Sequence, residues 1–206
     1  MTGPLDRATR DAYERSAARW ATARTPSALD RWEQLATSVG DVTGPGADLG
    51  CGPGWHTGSL PAPAVAVDAA RAMLDLVGDH APDAPRVQAD LGRLPFTRAA
   101  LGAVLATKAF VHLDAEQVPR ALAELHRASR PDATCLLSFF GSGPDATEPT
   151  TSLTWADDDF PGRRFSLWHL EDLDAVLDGA GLTVLEVPER EAATGEVVVG
   201  PRQGGR

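Results

Sequence analysis

The chain has 206 residues, of which 43% are hydrophobic and 23% are charged, and its formal net charge is −10. This length and composition predict one soluble globular domain with a substantial core. The acidic balance argues against nucleic acid as a partner, because binding to phosphates draws its energy from clustered Lys and Arg.

The cysteine usage and the distribution of apolar residues bear on compartment and metals. Cys51 and Cys135 lie far apart and form no C-x-x-C pattern, so neither a disulfide framework nor a zinc site is predicted. No run approaches the ~18 apolar residues of a membrane span. The charged N-terminal segment lacks the apolar core of a signal peptide. We therefore expect a cytoplasmic protein with no metal and no membrane partner, and the sequence leaves its oligomeric state open.

Two helices are predicted ahead of the first strand. Apolar residues recur at helical spacing over residues 5–23 and again over residues 26–40, where Gly40 ends the pattern. We expect residues 1–40 to form a helical cap and residues 41–206 to form the core domain.

The most informative stretch runs from Asp48 to Gly54 and reads D-L-G-C-G-P-G after a short apolar strand. Three alternate glycines, Gly50, Gly52 and Gly54, permit positive φ angles and let a ligand lie against bare backbone. A short helix is expected to follow from about residue 55 to about residue 60, where the prolines at 61 and 63 end it. A Walker loop would need Gly-Lys-Ser/Thr, which is absent. A dinucleotide loop would need G-x-G-x-x-G, and the observed spacing weakens that reading without removing it.

This run resembles the D-x-G-x-G-x-G loop of the class I S-adenosylmethionine-dependent methyltransferases. In that family the loop cups the methionine and ribose part of the cofactor, S-adenosyl-L-methionine. The family fold implied here is α/β: a doubly wound, Rossmann-like sheet of seven strands, mostly parallel, with an antiparallel last strand and N-terminal cap helices. The resemblance implies five cofactor contacts in the loop, namely Asp48, Gly50, Cys51, Gly52 and Gly54.

The next predicted strand, residues 64–68, closes with Asp68, which lies 20 positions (68 − 48) after the first acid. A carboxylate at about this distance suits hydrogen bonding to two adjacent ribose hydroxyls, a feature shared with dehydrogenases. The residues that follow resemble the family's acid, small residues and Met-Leu at a helix start. That resemblance places Ala69 and Met73 beside the adenosine.

The third predicted strand, residues 86–89, also ends in an acid, Asp90, followed by Leu91 and then by Leu-Pro-Phe. The resemblance assigns Asp90 and Leu91 to the adenine. Three acids that close successive strands at the carboxyl edge of one sheet form a more specific pattern than any one of them, because open α/β sheets bind ligands in the crevice at that edge.

The fourth predicted strand covers residues 101–106 and lacks the acid that the family usually carries near its start. The turn after it resembles the segment that passes beneath the transferable methyl group. Thr107 is assigned to the cofactor on that basis, and Lys108 and His112 are predicted to face the acceptor. His112 has the pKa of a general base, and Lys108 supplies positive charge. The alternatives are a structural histidine and an exposed lysine.

The remaining elements are predicted from periodicity and from breaking residues. Asp114 is expected to cap a helix, and the polar loop 141–164 is expected to shape the acceptor pocket with its aromatic residues, Trp155 among them. The predicted elements are a helix over 114–130, a strand over 134–140, a helix over 168–180, and strands over 182–187 and 196–200 that pair as a hairpin.

The sequence thus predicts methyl transfer from S-adenosylmethionine to a small-molecule acceptor by in-line displacement. Two alternatives stay open. A nicotinamide-dependent oxidoreductase is disfavoured by the glycine spacing and by the absence of a Tyr-x-x-x-Lys pair, since Tyr13 is the only tyrosine. A non-catalytic protein that binds S-adenosylmethionine is slightly favoured by the missing acid in the fourth strand.

Overall fold

The structure, a computed structural model, describes residues 7–24, 44–141, 150–186, 190–191 and 194–202. The helix predicted over residues 26–40 lies outside these ranges. The described helices are α1 (Arg7–Ala23), α2 (Arg71–Leu74), α3 (Val118–Ala128) and α4 (Leu170–Gly179). The strands are β1 (Gly46–Leu49), β2 (Ala64–Asp68), β3 (Arg86–Gln88), β4 (Leu101–Ala106), β5 (Ser129–Gly141), β6 (Thr151–Leu153), β7 (Phe165–Trp168), β8 (Leu182–Glu186), β9 (Arg190–Glu191) and β10 (Thr194–Pro201).

Seven of these strands form one continuous path in the order β3-β2-β1-β4-β5-β10-β8. The pairs from β3 to β5 are all parallel, whereas β10 is antiparallel to both β5 and β8. This confirms the predicted Rossmann-like sheet and its antiparallel last strand. Three short strands that were not predicted extend it: β7 pairs with the end of β5, β6 with β7, and β9 with β10.

The central strands explain why the sheet sits in the middle of the molecule. All four residues of β1 and all six of β4 are buried, as expected of short apolar runs in a parallel sheet covered on both faces. Helix α3 covers part of one face with a stripe at helical spacing, in which Leu122 and Leu125 are fully buried. The carboxyl ends of β1, β2 and β4 therefore lie side by side, and their following turns meet at one edge.

Two local predictions were wrong. Helix α3 begins at Val118 rather than at Asp114, and Gln117 is its N-cap. The Asp114 carboxylate instead pairs with the Arg164 guanidinium at 2.9 Å. The glycine loop is followed by turns and a single 3-10 turn over Thr57–Ser59, because the prolines at 61 and 63 leave too few residues for an α-helix.

Helix α1 lies across the carboxyl edge of the sheet and is held by hydrogen bonds near its start and at its middle. The Glu14 carboxylate accepts a hydrogen bond from the Ala72 N–H at 3.3 Å, next to β2. On the other side, the Thr9 hydroxyl accepts from the Arg164 N–H at 2.8 Å. No helix in the described part of the chain is long and apolar enough to cross a membrane.

Candidate active site

The glycine loop has the left-handed backbone that its sequence predicts, with φ angles of 70°, 54° and 86° at Gly50, Gly52 and Gly54. A Cβ on Gly50 would lie 2.5 Å from the Ala109 Cβ, and one on Gly54 would lie 3.0 Å from Val77. Gly50 and Gly54 are thus required by packing within the protein. Gly52 has open space instead, with only the Trp20 ring 3.8 Å away.

Asp68 ties this loop to the end of β2. Its carboxylate accepts hydrogen bonds from the Gly52 N–H at 2.9 Å and from the Ala70 N–H at 2.8 Å. Burial raises the pKa of Asp68 to about 6 in spite of these two bonds, because removing a carboxylate from water disfavours its charged form. An acid at this position therefore fixes the shape of the loop as well as lining the cavity beside it.

Asp48, at the end of β1, is buried more deeply and is 2% exposed. Its Oδ2 accepts a hydrogen bond from the Thr57 hydroxyl at 2.7 Å. Burial raises the pKa of Asp48 to about 7. Sequence reasoning did not single out Thr57, and its place nine residues beyond the acid carries no pattern from which the contact follows.

Asp90 and Gly54, which were assigned to the cofactor, do not line the cavity. The Asp90 carboxylate accepts a hydrogen bond from the Gly92 N–H at 2.8 Å, and the neighbouring Leu91 lines the cavity whereas Asp90 does not. Gly54 is likewise outside the lining, since it packs on Val77. The adenine contact assigned to Asp90 stays a prediction.

The turn after β4 brings the two predicted polar residues to the cavity in different states. Lys108 is exposed and has a left-handed backbone with φ of 55°, a conformation that costs a non-glycine residue about 1 kcal/mol or more. His112 is 6% exposed. Burial lowers its pKa to about 4, so its imidazole is neutral at pH 7.

His112 is one member of a buried polar network. Its Nδ1 lies 2.8 Å from the Arg164 carbonyl oxygen, and its Nε2 lies 2.7 Å from the Tyr13 hydroxyl. The Arg163 guanidinium donates to the same hydroxyl at 3.1 Å. Arg163 is in turn paired with the Asp158 carboxylate, its Nε donating at 2.8 Å. The network thus joins α1, the turn after β4 and the segment 158–164.

Aromatic side chains flank this network. Trp155 stacks on Phe165 with ring centroids 4.1 Å apart, and Phe140 lies 5.6 Å from Trp155. Trp155 is 44% exposed. At the other end of the cavity, Trp20 of α1 stacks on Trp55 beside the glycine loop at 5.0 Å. Aromatic side chains therefore line both ends of the cavity.

One cavity of about 320 Å³ runs along the edge of the sheet and connects these groups. Eleven of the thirteen predicted site residues line it: Asp48, Gly50, Cys51, Gly52, Asp68, Ala69, Met73, Leu91, Thr107, Lys108 and His112. Arg163 also lines it and was missed by sequence reasoning, because a single arginine in a polar loop carries no signal. Tyr13 and Trp20 of α1 line it as well.

Comparison with known proteins agrees with this site. Residues 47–137 match the family model described as a methyltransferase domain, a range that begins in β1 and ends in β5. No curated protein matches the sequence. Together with the sheet order, the glycine loop and the acids at the strand ends, the match identifies residues 47–137 as a methyltransferase domain of the kind whose cofactor is S-adenosylmethionine.

Solved structures of low sequence identity share the fold. A 1,6-didemethyltoxoflavin N1-methyltransferase of Burkholderia thailandensis, with bound 1,6-didemethyltoxoflavin and S-adenosylhomocysteine, has a TM-score of 0.74 at 18% identity, covering 98% of this chain and 94% of that chain. The CcbJ methyltransferase of Streptomyces caelestis has a TM-score of 0.73 at 17% identity, covering 96% and 100%. An S-adenosylmethionine-dependent methyltransferase of Clostridium acetobutylicum has a TM-score of 0.69 at 13% identity, covering 94% and 99%.

The residues present fit the cofactor. Gly52 leaves backbone uncovered by any side chain of the loop, which suits close approach of a ligand. Asp48 is buried and Asp68 is half-buried, burial raises the pKa of both carboxyls, and no cation among the described residues forms an ion pair with either. A cationic ligand that also offers hydroxyl and ammonium donors meets this need. When bound, S-adenosylmethionine supplies a methyl group activated on a sulfonium.

Proposed function

We propose that this enzyme transfers the methyl group of S-adenosylmethionine to a small-molecule acceptor by in-line displacement. The observation that carries the proposal is the single cavity that runs from the glycine loop to the aromatic cluster of Phe140, Trp155 and Phe165. Its volume of about 320 Å³ falls in the range of small-molecule pockets. The toxoflavin enzyme with the same fold has 1,6-didemethyltoxoflavin bound in its complex, which supports a small-molecule acceptor here.

Within this proposal the cofactor end of the cavity is formed by the glycine loop, Asp48, Asp68, Ala69, Met73 and Leu91. The acceptor end is formed by the aromatic cluster and the polar network around His112. We keep Thr107 with the cofactor, because it begins the turn where the two ends meet. Alignment of the two ligands and exclusion of water supply much of the rate in such a reaction.

His112 and Lys108 are proposed to act at the acceptor end. Both ring nitrogens of His112 are engaged by protein atoms, and burial lowers its pKa to about 4. His112 therefore acts through Tyr13, which lies between it and Arg163 in the network. Lys108 is exposed at the cavity wall, where its ammonium would attract an anionic group on the acceptor.

The cofactor part of the proposal is tested by thermal unfolding with S-adenosylmethionine, S-adenosylhomocysteine, NADH and ATP. A ligand at 100 times its dissociation constant adds about 2.7 kcal/mol, which raises the midpoint of a domain this size by roughly 5 to 10 °C. We expect that rise with the two adenosyl ligands only, and its loss in Asp68→Ala. Asp83→Ala, which removes an exposed carboxylate, is the matched control.

The acceptor part is tested by incubating the enzyme and methyl-labelled S-adenosylmethionine with a fractionated cell extract. We expect label in the small-molecule fraction. Label found only in the protein or RNA fraction would contradict the proposed acceptor class and leave the cofactor assignment intact. Lys108→Met should raise the KM of an anionic acceptor and leave that of a neutral one unchanged.

A further inference from the structure

The polar network at the acceptor end fixes the direction of every hydrogen bond in it. A carbonyl oxygen only accepts, so the 2.8 Å contact between the Arg164 carbonyl and His112 requires a proton on Nδ1 of the imidazole. Burial keeps His112 neutral at pH 7. A neutral imidazole carries one proton, so Nε2 is an acceptor, and the Tyr13 hydroxyl donates to it across 2.7 Å.

The other side of the Tyr13 hydroxyl is fixed by Arg163. A guanidinium only donates, and its Nη1 lies 3.1 Å from the Tyr13 oxygen. Arg163 cannot turn away at low cost, because it is 9% exposed and its remaining nitrogens, Nε and Nη2, both donate to the Asp158 carboxylate. The guanidinium also lies over the rings of Tyr13 and Phe165, at 5.5 and 5.1 Å from their centroids.

A phenol has one proton to donate and two lone pairs to accept with. In Tyr13 the proton is used by His112 and one lone pair by Arg163, which leaves one lone pair on a side chain that lines the cavity. No described protein atom donates a second hydrogen bond to it. The hydroxyl therefore presents a pure acceptor to whatever occupies this end of the cavity.

We propose that the Tyr13 hydroxyl selects and positions an acceptor that carries a hydrogen-bond donor, an O–H or N–H group, and that His112 and Arg163 act as positioning residues by holding its remaining lone pair toward the cavity. The inference rests on the proposed function, and it adds the acceptor class: a protic oxygen or nitrogen compound with an aromatic body. The aromatic body follows from the cluster of Phe140, Trp155 and Phe165 beside the network.

The test uses three probes of matched shape with the S-adenosylhomocysteine complex of the protein, followed by fluorine NMR. The first two, 4-fluorophenol and 4-fluoroaniline, carry a donor, whereas 4-fluoroanisole carries none. We expect the two donors to bind at least about tenfold more tightly than the ether, the difference that a lost hydrogen bond to a buried acceptor produces. In Tyr13→Phe that preference should vanish, with binding of 4-fluoroanisole and of S-adenosylhomocysteine unchanged.

Several outcomes would overturn the inference. Equal binding of the three probes to the wild type, or no binding of any of them, contradicts it. So does a preference that survives in Tyr13→Phe. A fall in S-adenosylhomocysteine affinity in Tyr13→Phe would mean that the lone pair faces the cofactor instead. If the wild type binds no S-adenosylhomocysteine at all, the proposed function itself has failed.

A second measurement needs no acceptor. Two-bond nitrogen NMR of protein labelled in its five histidines reports which ring nitrogen carries the proton, and His112→Gln identifies the signal. We expect the Nδ1–H tautomer of His112, unchanged down to about pH 5. An Nε2–H tautomer would reverse the hydrogen bond to Tyr13, occupy both lone pairs of its hydroxyl and refute the proposed role.

Discussion

The two ends of the cavity are built by different means. At the cofactor end, the site is shaped mainly by backbone groups. The N–H groups of Gly52 and Ala70 hold Asp68, and the loop geometry depends on positive φ angles. At the acceptor end, side chains hold one another, as in the chain of contacts from Asp158 through Arg163 and Tyr13 to His112. A substitution at the cofactor end should therefore change the shape of the glycine loop, whereas a substitution at the acceptor end should change which acceptor binds.

The largest effect is expected at the cofactor end, in Gly50→Ala. The new Cβ would lie 2.5 Å from that of Ala109, and the residue has a φ of 70°, so both packing and backbone strain oppose it. We expect a loss of about 2 to 5 kcal/mol in the free energy of unfolding, together with at least 100-fold weaker S-adenosylhomocysteine binding measured by calorimetry.

The matched control is Gly58→Ala, because a Cβ there meets nothing within 4 Å and the residue lies in the 3-10 turn that follows the same loop. We expect its binding to stay within about threefold of the wild type. Equal losses in the two variants would mean that the loop tolerates no change at all, and the special role of Gly50 would fall.

The next prediction concerns the ion pair at the acceptor end, where a substitution should lower the stability of the protein without changing its affinity for the cofactor. Asp158→Asn leaves the buried Arg163 guanidinium without its charged partner, whose side chain is only 3% exposed. We expect a loss of about 2 kcal/mol in the free energy of unfolding, the cost of weakening a charged hydrogen-bond pair, with unchanged affinity for S-adenosylhomocysteine. Asp157→Asn, one position earlier and exposed, should change neither, and a cofactor defect in Asp158→Asn would mean that the two ends are coupled.

A gain in stability is expected in Asp48→Asn. The folded pKa of Asp48 is raised to about 7 from 3.8, so its ionised form costs stability above that pH, and the cost disappears as pH falls and the folded protein takes up the proton. Denaturant unfolding at pH 8 should therefore show the variant more stable by about 1 to 3 kcal/mol.

That gain should shrink between pH 7 and pH 4, because the protonated Asp48 carboxyl and the amide of the Asp48→Asn variant are both neutral. Asp83→Asn provides the surface comparison and should show no such trend. A constant difference across this range would mean that the Asp48 carboxylate is not destabilised by its burial.

The smallest effect concerns Lys108, whose backbone has a φ of 55°. Lys108→Gly relieves a left-handed conformation but adds freedom to the unfolded chain, so a net gain of about 0.5 to 1 kcal/mol is expected in thermal unfolding. Ala99→Gly, at a φ of 53°, should behave alike. A loss of stability in Lys108→Gly alone would indicate that the lysine side chain makes a stabilising contact.

The contrast between the two ends of the cavity also explains which parts of the fold and site could be predicted from the sequence. The glycine loop, the acids at the ends of β1 and β2, and the buried strands themselves were predictable because each depends on local backbone rules and short apolar runs. The mostly parallel, doubly wound sheet was expected only from the family resemblance. The turn after β4 was found through its resemblance to the family's segment at that position. Each of these signals lies within a few neighbouring residues.

The acceptor end was only partly predictable because its contacts are distant in sequence. Tyr13 meets His112 across 99 positions and Arg163 across 150, and no local pattern links them. The capping role expected for Asp114 failed for the same reason, since its partner Arg164 comes 50 positions later. A 3-10 turn follows the glycine loop instead of the expected helix, because the prolines at 61 and 63 leave too few residues for a helix.

The attachment of α1 to the segment 158–164 has a consequence for changing what the enzyme methylates. The Thr9 hydroxyl, Tyr13 and Arg24 each contact that segment, the last through an ion pair with Asp159 at 2.9 Å. Exchanging either α1 or the segment 158–164 alone between related enzymes would separate residues that pair with each other. Recombination that redirects substrate choice should therefore succeed when both pieces are inherited from one parent, while the intervening glycine loop comes from either.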